Sequence, residues 1–473
     1  MSSSVSVKLY KIRWLFLVVI SSFNFLYTFS AISVSQINNI FVHYFHVTYA
    51  VIDWATIANL PGVFLAAFVV LWLTYNKYME FKAMAIVNGS FLIASSLSKM
   101  IAFASHSFFP FVILGQFLSG FSAAIGYPMC LSLALSWFPI DEAGTAIGIS
   151  LSGTSFGLVL GTLLPSHSIV QPTLSNASNN KTKWQVVDRN ICLIMWSVQL
   201  FFSILGLALI VLLASNHPPT PPTLVQEKEQ TACNEKMTMK NFLSTCKNLV
   251  KNKQFLLIAT AGAAMHNISL CEVTMMTQLM MKVLRDRHSR LNHDVISSYA
   301  SSLLEVGGLV GTIVSGRLID KFNSYKILLL VASSFSTICS IAITIAYRFN
   351  SYEAFFGINP VYGFFNRFYL VCLLQVLTQI TYPINSAFVG ATFRGYSCLL
   401  TIVKVELGRV IFNFAGGIWL LSFETIFAIL AVLLTLTVKL ENNRLNAEQA
   451  LIKARQGTDV TETSLLINQS ENQ

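Results

Sequence analysis

Gly316-Arg-Leu-Ile-Asp320-Lys-Phe-Asn-Ser-Tyr-Lys326 lies between two long apolar runs, near residues 295–318 and 326–347. About 20 consecutive apolar residues cross a bilayer as a helix. A short charged connection between two such runs is therefore a turn at the membrane face. Gly316 lets its helix approach a neighbour, Asp320 stands at the helix boundary, and Arg317, Lys321 and Lys326 put cations beside neighbouring helix ends. The rest of the 473 residues agrees with a membrane setting: 54% are apolar, 11% are charged and the mean hydropathy is +0.62. Soluble domains carry about 25% charged residues, so this chain must keep most of its outer surface in lipid. Disorder, collagen and small disulfide scaffolds are excluded, and continuous rather than alternating apolar runs argue against a β-barrel.

Twelve spans are expected, near 14–36, 51–73, 84–104, 109–136, 143–164, 192–214, 254–281, 295–318, 326–347, 363–383, 396–417 and 420–439. The organisation is then a short tail (1–13), a six-helix half (14–214), a linker (215–253), a second half (254–439) and a polar tail (440–473). Within the linker, residues 239–252 place Phe242, Leu243, Cys246, Leu249 and Val250 at helical spacing beside Lys240, Lys247 and Lys251, the pattern of a helix lying at the membrane surface. With the N-terminus inside, 19 Lys and Arg fall on the inner side and 8 outside, and four (Lys99, Arg367, Lys404, Arg409) lie within spans. Both termini are expected in the cytoplasm, the plasma membrane being the expected residence. Sequons at Asn176 and Asn180 fall in the long outer loop as glycosylation candidates. The net charge of +10 is explained by these loops, so nucleic acid is not an expected partner; the small-molecule cargo and the bilayer are. The eight cysteines show no CxxC pair, and neither a metal site nor a cofactor is implied.

The six–linker–six layout resembles the major facilitator superfamily, an all-α membrane fold of two six-helix halves, and the 316–326 stretch resembles its G-x-x-x-D-R/K loop. The matching loop of the first half, Leu73-Thr-Tyr-Asn-Lys77, has Asn76 where an acid is expected. Gly153, Gly157 and Gly161 on span 5, with Gly307 and Gly311 on span 8, are small residues four apart that allow close helix packing. They are expected to face one another across the halves. Gly153-Thr-Ser155-Phe-Gly157 also matches a hydrolase elbow, but such an elbow needs a strand and a sharp turn, and no catalytic motif supports an enzyme. Polar residues inside a bilayer are costly and face a cavity or one another. The candidates are His266, Asn267 and Glu272 on span 7, Glu305 on span 8, Gln375 and Gln379 on span 10, and Lys404, Glu406 and Arg409 on span 11. Glu406 and Arg409 are spaced to pair, which leaves Lys404 for Glu305. Glu272 or Glu305 could carry a coupling proton.

Tyr10-Lys-Ile-Arg-Trp14, Ile37-Asn-Asn-Ile-Phe41, Ile52-Asp-Trp54, Gly115-Gln116, Ser136-Trp-Phe138 and Thr381-Tyr-Pro383 are similar to the feline leukaemia virus subgroup C receptor family of solute carriers. The resemblance implies transport of choline or ethanolamine, with haem second, by alternating access. It places substrate contacts at Ala31, Ser155 and Leu270, where choline-transporting members carry tryptophan, glutamine and tyrosine. It also puts a paired acidic position on Gln375 and Gln379. All of these depart from the family pattern. Ser35 and Tyr127 complete the expected site, and Tyr27, Phe29, Tyr127 or Phe156 could rebuild the missing cage. The departures keep a non-transporting receptor or scaffold, and a proton-coupled symporter of another metabolite, as alternatives.

Overall fold

Pro61 decides the shape of the second span. It has no backbone N–H and its ring crowds the carbonyl four residues back, at Ile57. The helix breaks there, into α3 (Tyr49–Ile57) and α4 (Asn59–Tyr75), with Ala58 between them. The computed structural model describes residues 9–36, 38–168, 181–231, 238–266, 279, 293–322, 324–440 and 442–455. The other long helices are α1 (Ile12–Gln36), α5 (Phe81–Ala102), α6 (Pro110–Trp137), α7 (Ile140–Ser168), α8 (Lys181–Leu213), α12 (His293–Phe322), α13 (Tyr325–Arg348), α14 (Tyr352–Ile380), α15 (Ser386–Ala415) and α16 (Gly417–Thr437). Shorter ones are α2 (Asn38–Phe45), α9 (Leu224–Thr231), α10 (Met239–Lys251), α11 (253–266) and α17 (443–455). Nine helices among the described residues are long and apolar enough to cross a membrane.

Several helices outrun their apolar segments. α8 starts at Lys181 rather than near 192, α14 at Tyr352 rather than near 363, and α15 at Ser386 rather than near 396. Asn385 accounts for the last case, because its Oδ1 accepts from the amides of Ala387 and Phe388 and caps the helix ten residues early. The expected Asn176 and Asn180 lie outside the described residues.

Two seams join the halves: α7 runs along α12, and α4 with α6 runs along α15. The linker helix α10 forms as expected, but its apolar face is not left to lipid alone. Phe242 sits edge-on to Trp72 and Tyr75, with ring centroids 5.0 and 5.2 Å away, and 6.2 Å from Phe388. These rings belong to α4 and α15, so α10 bridges the halves. The tail helix α17 closes the same face: Glu448 accepts from the first amides of α9, Leu224 (2.8 Å) and Val225 (2.7 Å), while Arg444 lies 3.7 Å from Glu229.

Candidate transport site

Midway along the helices of the second half, two charged pairs are buried. Arg367 on α14 grips Glu305 on α12 through two bonds, Nη2 to Oε1 at 2.8 Å and Nε to Oε2 at 3.2 Å. Gly308 makes this possible, since a Cβ there would stand 2.7 Å from the Arg367 stem. Lys404 on α15 meets Glu424 on α16 at 2.5 Å and donates to the Ala264 carbonyl at 3.4 Å. The expected Lys404–Glu305 pairing is therefore corrected: each takes another partner. Glu406 and Arg409 do pair, at 3.4 Å, but on the outward side of α15, where both are exposed. They do not face the interior.

A third cation stands between the halves. The Arg394 guanidinium lies 4.9 Å over the ring of Tyr127, and Phe393 stacks on the same ring at 6.1 Å. Tyr127 Oη lies 2.9 Å from His266 Nε2, joining α6 of the first half to α11 of the second. Among the described residues no carboxylate pairs with Arg394, and its Nε is buried with no hydrogen-bond partner. Ser155 sits across the seam from Gly308, its hydroxyl buried and also without a partner. Thus Ser155, Tyr127, His266 and Glu305 converge. Asn267, Leu270 and Glu272 lie outside the described residues.

The first half holds its own buried cation differently. Lys99 Nζ donates to the Ser30 carbonyl (3.0 Å), Ser30 Oγ (2.5 Å) and Gln116 Oε1 (3.0 Å), with Trp196 4.8 Å beneath it. Its three donors are all met by neutral oxygens. Gln116 Nε2 then donates to the Ala31 carbonyl at 3.0 Å, which fixes Ala31 by its backbone. Ser35 is turned back onto its own helix, donating to Ile32 O at 2.7 Å. Among the cage candidates, Tyr27 and Phe29 are buried, whereas Phe156 is 45% exposed and lies tilted against Phe25 beside a surface crevice. Phe156 is thus removed from the interior, and the Tyr127 ring already carries Arg394 and Phe393.

The span 10 glutamines also move out of the site. Gln379 accepts from the Leu445 amide of the tail at 3.1 Å, and Gln375 lies beside Tyr325 at the start of α13. Both belong to the linker face of the bundle.

The seam between α7 and α12 is closed along its length. On the linker face, Asp320 accepts from the amides of Gly144 and Thr145 (both 2.7 Å) and from the Thr145 hydroxyl (2.6 Å). A carboxylate from one half thereby occupies the positive end of a helix in the other. Gly316 packs against Gly144, and Gly148 against Thr312. The expected facing of Gly153, Gly157 and Gly161 against Gly307 and Gly311 does not occur. The first three pack on Ser21, Phe25 and Phe29 of α1, and the other two on Pro360 and Phe364 of α14. Arg317 and Lys321 are exposed, with no ion pair at either among the described residues. At the far end, hydroxyl pairs Thr162–Ser302 (2.6 Å) and Ser166–Ser298 (2.7 Å) and the His167–Tyr299 contact (2.7 Å) close the same seam.

Two packed helical halves around a buried polar centre, with contacts between them at both ends, define a multi-pass membrane carrier of the alternating-access kind. Residues 15–403 match the Major Facilitator Superfamily, and the chain belongs to that family. It is a divergent relative of named carriers within it. It is 24% identical over 455 residues to the choline/ethanolamine transporter flvcr2a of Danio rerio, covering 95% of this chain and 91% of that one. Human FLVCR2, also a choline/ethanolamine transporter, is 21% identical over 97% of this chain and 83% of its own length. Cat FLVCR1, named likewise, is 24% identical over 96% and 78%. Among solved structures, the E. coli fucose:proton symporter FucP superposes with a TM-score of 0.69 at 10% identity, over 91% of this chain and all of that one, which is a likeness of fold.

Arg394 and Glu424 were not among the expected site residues. The first was placed in a loop because α15 was read as starting ten residues late. The second carried a usable signal, an acid inside an apolar run.

Proposed function

We propose that the centre formed by Ser155, Tyr127, His266, Arg367 and Glu305 binds a small polar organic solute, and that the α7–α12 seam is the gate on the linker face. The observation that carries this is the Tyr127–His266 bond. It links the two halves at mid-helix, next to a buried ion pair, where a solute held between the halves would contact both. Alternating access then requires Asp320 to leave the α7 N-terminus as that face opens.

The names of the relatives favour an amine of the choline/ethanolamine class as solute. A quaternary ammonium needs open aromatic faces, and Ala31 and the occupied Tyr127 ring offer few. A primary ammonium donates hydrogen bonds, which Ser155 Oγ and Glu305 can accept. We therefore place ethanolamine-like amines ahead of choline. The Lys and Arg bias favours cytoplasmic termini and linker, glycan acceptors at Asn176 and Asn180 outside, and residence in the plasma membrane.

Uptake of labelled ethanolamine and choline by cells expressing the chain, each competed by the other, tests the reading. Ethanolamine preference is expected, with Ala31→Trp moving it toward choline. Absence of uptake of both, with the chain at the cell surface, overturns the solute class. A tag at residue 175 that labels only after permeabilisation overturns the orientation.

A further inference from the structure

The interior cations are unequal. Arg367 has Glu305 and Lys404 has Glu424. Lys99 has three neutral acceptors, one for each of its protons. Arg394 has a ring beneath it and no carboxylate among the described residues, and its Nε finds no acceptor. Arginine carries five N–H donors in a planar fork suited to carboxylate or phosphate. Tyr127 offers Arg394 its ring face and a side-chain hydrogen bond, which leaves Nε unmet. A charge held in this way inside a membrane bundle is costly, and such residues mark the path of a substrate.

Arg394 and His266 are also only partly buried, whereas Tyr127 and Phe393 beside them are fully buried. The cation and the imidazole thus keep some accessible surface, while the rings beside them keep almost none. Both sit between α6, α11 and α15, where the halves meet. The amine alone fits this poorly, because its charge has the same sign as Arg394.

We infer that the transported solute carries an anionic group, carboxylate or phosphate, that docks on the Arg394 guanidinium beside Tyr127 and His266. The inference rests on the amine reading above and narrows it to solutes bearing both charges. Such a zwitterion supplies a counter-ion where the described residues offer Arg394 none, and cancels its own ammonium charge on entry. Arg367 and Lys404 are neutralised by fixed carboxylates and Lys99 has an acceptor for each proton, so among the described residues Arg394 is the interior cation left with a donor unmet.

Ethanolamine, β-alanine and phosphoethanolamine share a two-carbon ammonium and differ at the other end, which is a hydroxyl, a carboxylate or a phosphate. Binding of each to the purified full-length chain is measured by ligand-induced thermal stabilisation, and entry of each by uptake into proteoliposomes. One or both acids are expected to bind about tenfold or more tightly than ethanolamine, the worth of one charge-assisted hydrogen bond. Which acid binds tells carboxylate from phosphate. Arg394→Gln is expected to bring that acid down to the ethanolamine level, and Arg394→Lys to retain part of the difference. Ethanolamine binding as tightly as both acids to the unmodified chain overturns the inference, whether or not the variants fold. So does an acid preference that survives in a folded Arg394→Gln protein, and so does failure of all three to bind. Uptake of ethanolamine and choline without the acids leaves the amine reading standing and removes this one. Uptake of β-alanine or phosphoethanolamine without either amine does the reverse.

Discussion

Asp320→Asn isolates one interaction across the gate. The carboxylate accepts three bonds of 2.6–2.7 Å from Gly144 and Thr145, all donors of the opposite half. Asparagine keeps one acceptor oxygen, on the Gly144 amide, and turns its own amide N–H groups toward Thr145, whose N–H bond is lost while its hydroxyl turns round to accept. The loss comprises the charge on one retained bond, about 1 kcal/mol, one bond lost, about 1 kcal/mol, and the carboxylate–dipole term at the α7 N-terminus, about 0.3–1 kcal/mol. When the linker face opens, Asp320 is solvated and asparagine loses nothing there. The substitution therefore shifts the closed-to-open ratio by about 2–3 kcal/mol, which is about 30- to 150-fold. Spin labels at Ile140 on α7 and Phe322 on α12, in a background with the native cysteines replaced, read that ratio as a distance distribution. A long-distance population is expected to grow at the expense of the short one, with Asp320→Glu between the variant and the parent. A distribution that superposes on the parent's, in a protein of unchanged thermal stability, refutes the gate.

Breaking the Lys404–Glu424 pair as Lys404→Met leaves a buried carboxylate uncompensated, at a cost of about 3–5 kcal/mol; a marked fall in melting temperature is expected, and Lys404→Met with Glu424→Leu should recover most of it. Glu448→Gln weakens the cap on α9 by about 1 kcal/mol, so proteolysis of the linker at Lys228 should quicken about fivefold while the transmembrane fragments stay intact. The Glu80 carboxyl is held below its usual value chiefly by the hydrogen bond from His217, against the opposing effect of burial. A depressed folded value means that the stabilisation is present above the ordinary glutamate range and is lost as pH falls below it. Melting temperature should therefore drop more steeply on acidification below about pH 4.5 in the parent than in Glu80→Gln.

The spans were readable because lipid forces backbone bonds inside each helix and apolar side chains outside it. Their ends were harder to read, because hydropathy is blind to polar turns that remain helical. The Asn385 cap shows the missing signal: an asparagine after Pro383 is a helix start, and using it would have put Arg394 inside α15 rather than in a loop. The break at Ala58 was equally open to reading from Pro61. Partners were not. A glycine every four residues says that something comes close, and α7 has two such stretches. Gly153, Gly157 and Gly161 receive α1, while Gly144 and Gly148 receive α12. Only the rotation of α7 about its axis separates the two, and that depends on every neighbour at once.

The charged residues follow the same logic one step further. Glu406 and Arg409 are three apart on one helix, so their pairing is local and was legible; their facing outward was not. Lys404 is two residues from Glu406 and therefore points to another side, toward α16, where Glu424 waits. The loop cations were expected beside neighbouring helix ends. Lys326 is there, its Nζ donating to the Leu436 carbonyl at the end of α16 (3.1 Å), whereas Arg317 and Lys321 are exposed and the Asp320 carboxylate meets backbone amides. A helix N-terminus has no residue type of its own, so no search for complementary charges could have found it. The gate therefore joins a side chain that the sequence displays to a helix end that only the packing provides. For that reason substitutions at Gly144, whose Cβ would press on Asp320 Oδ1 at 2.7 Å, should disturb the gate as Asp320→Asn does, without removing any charge.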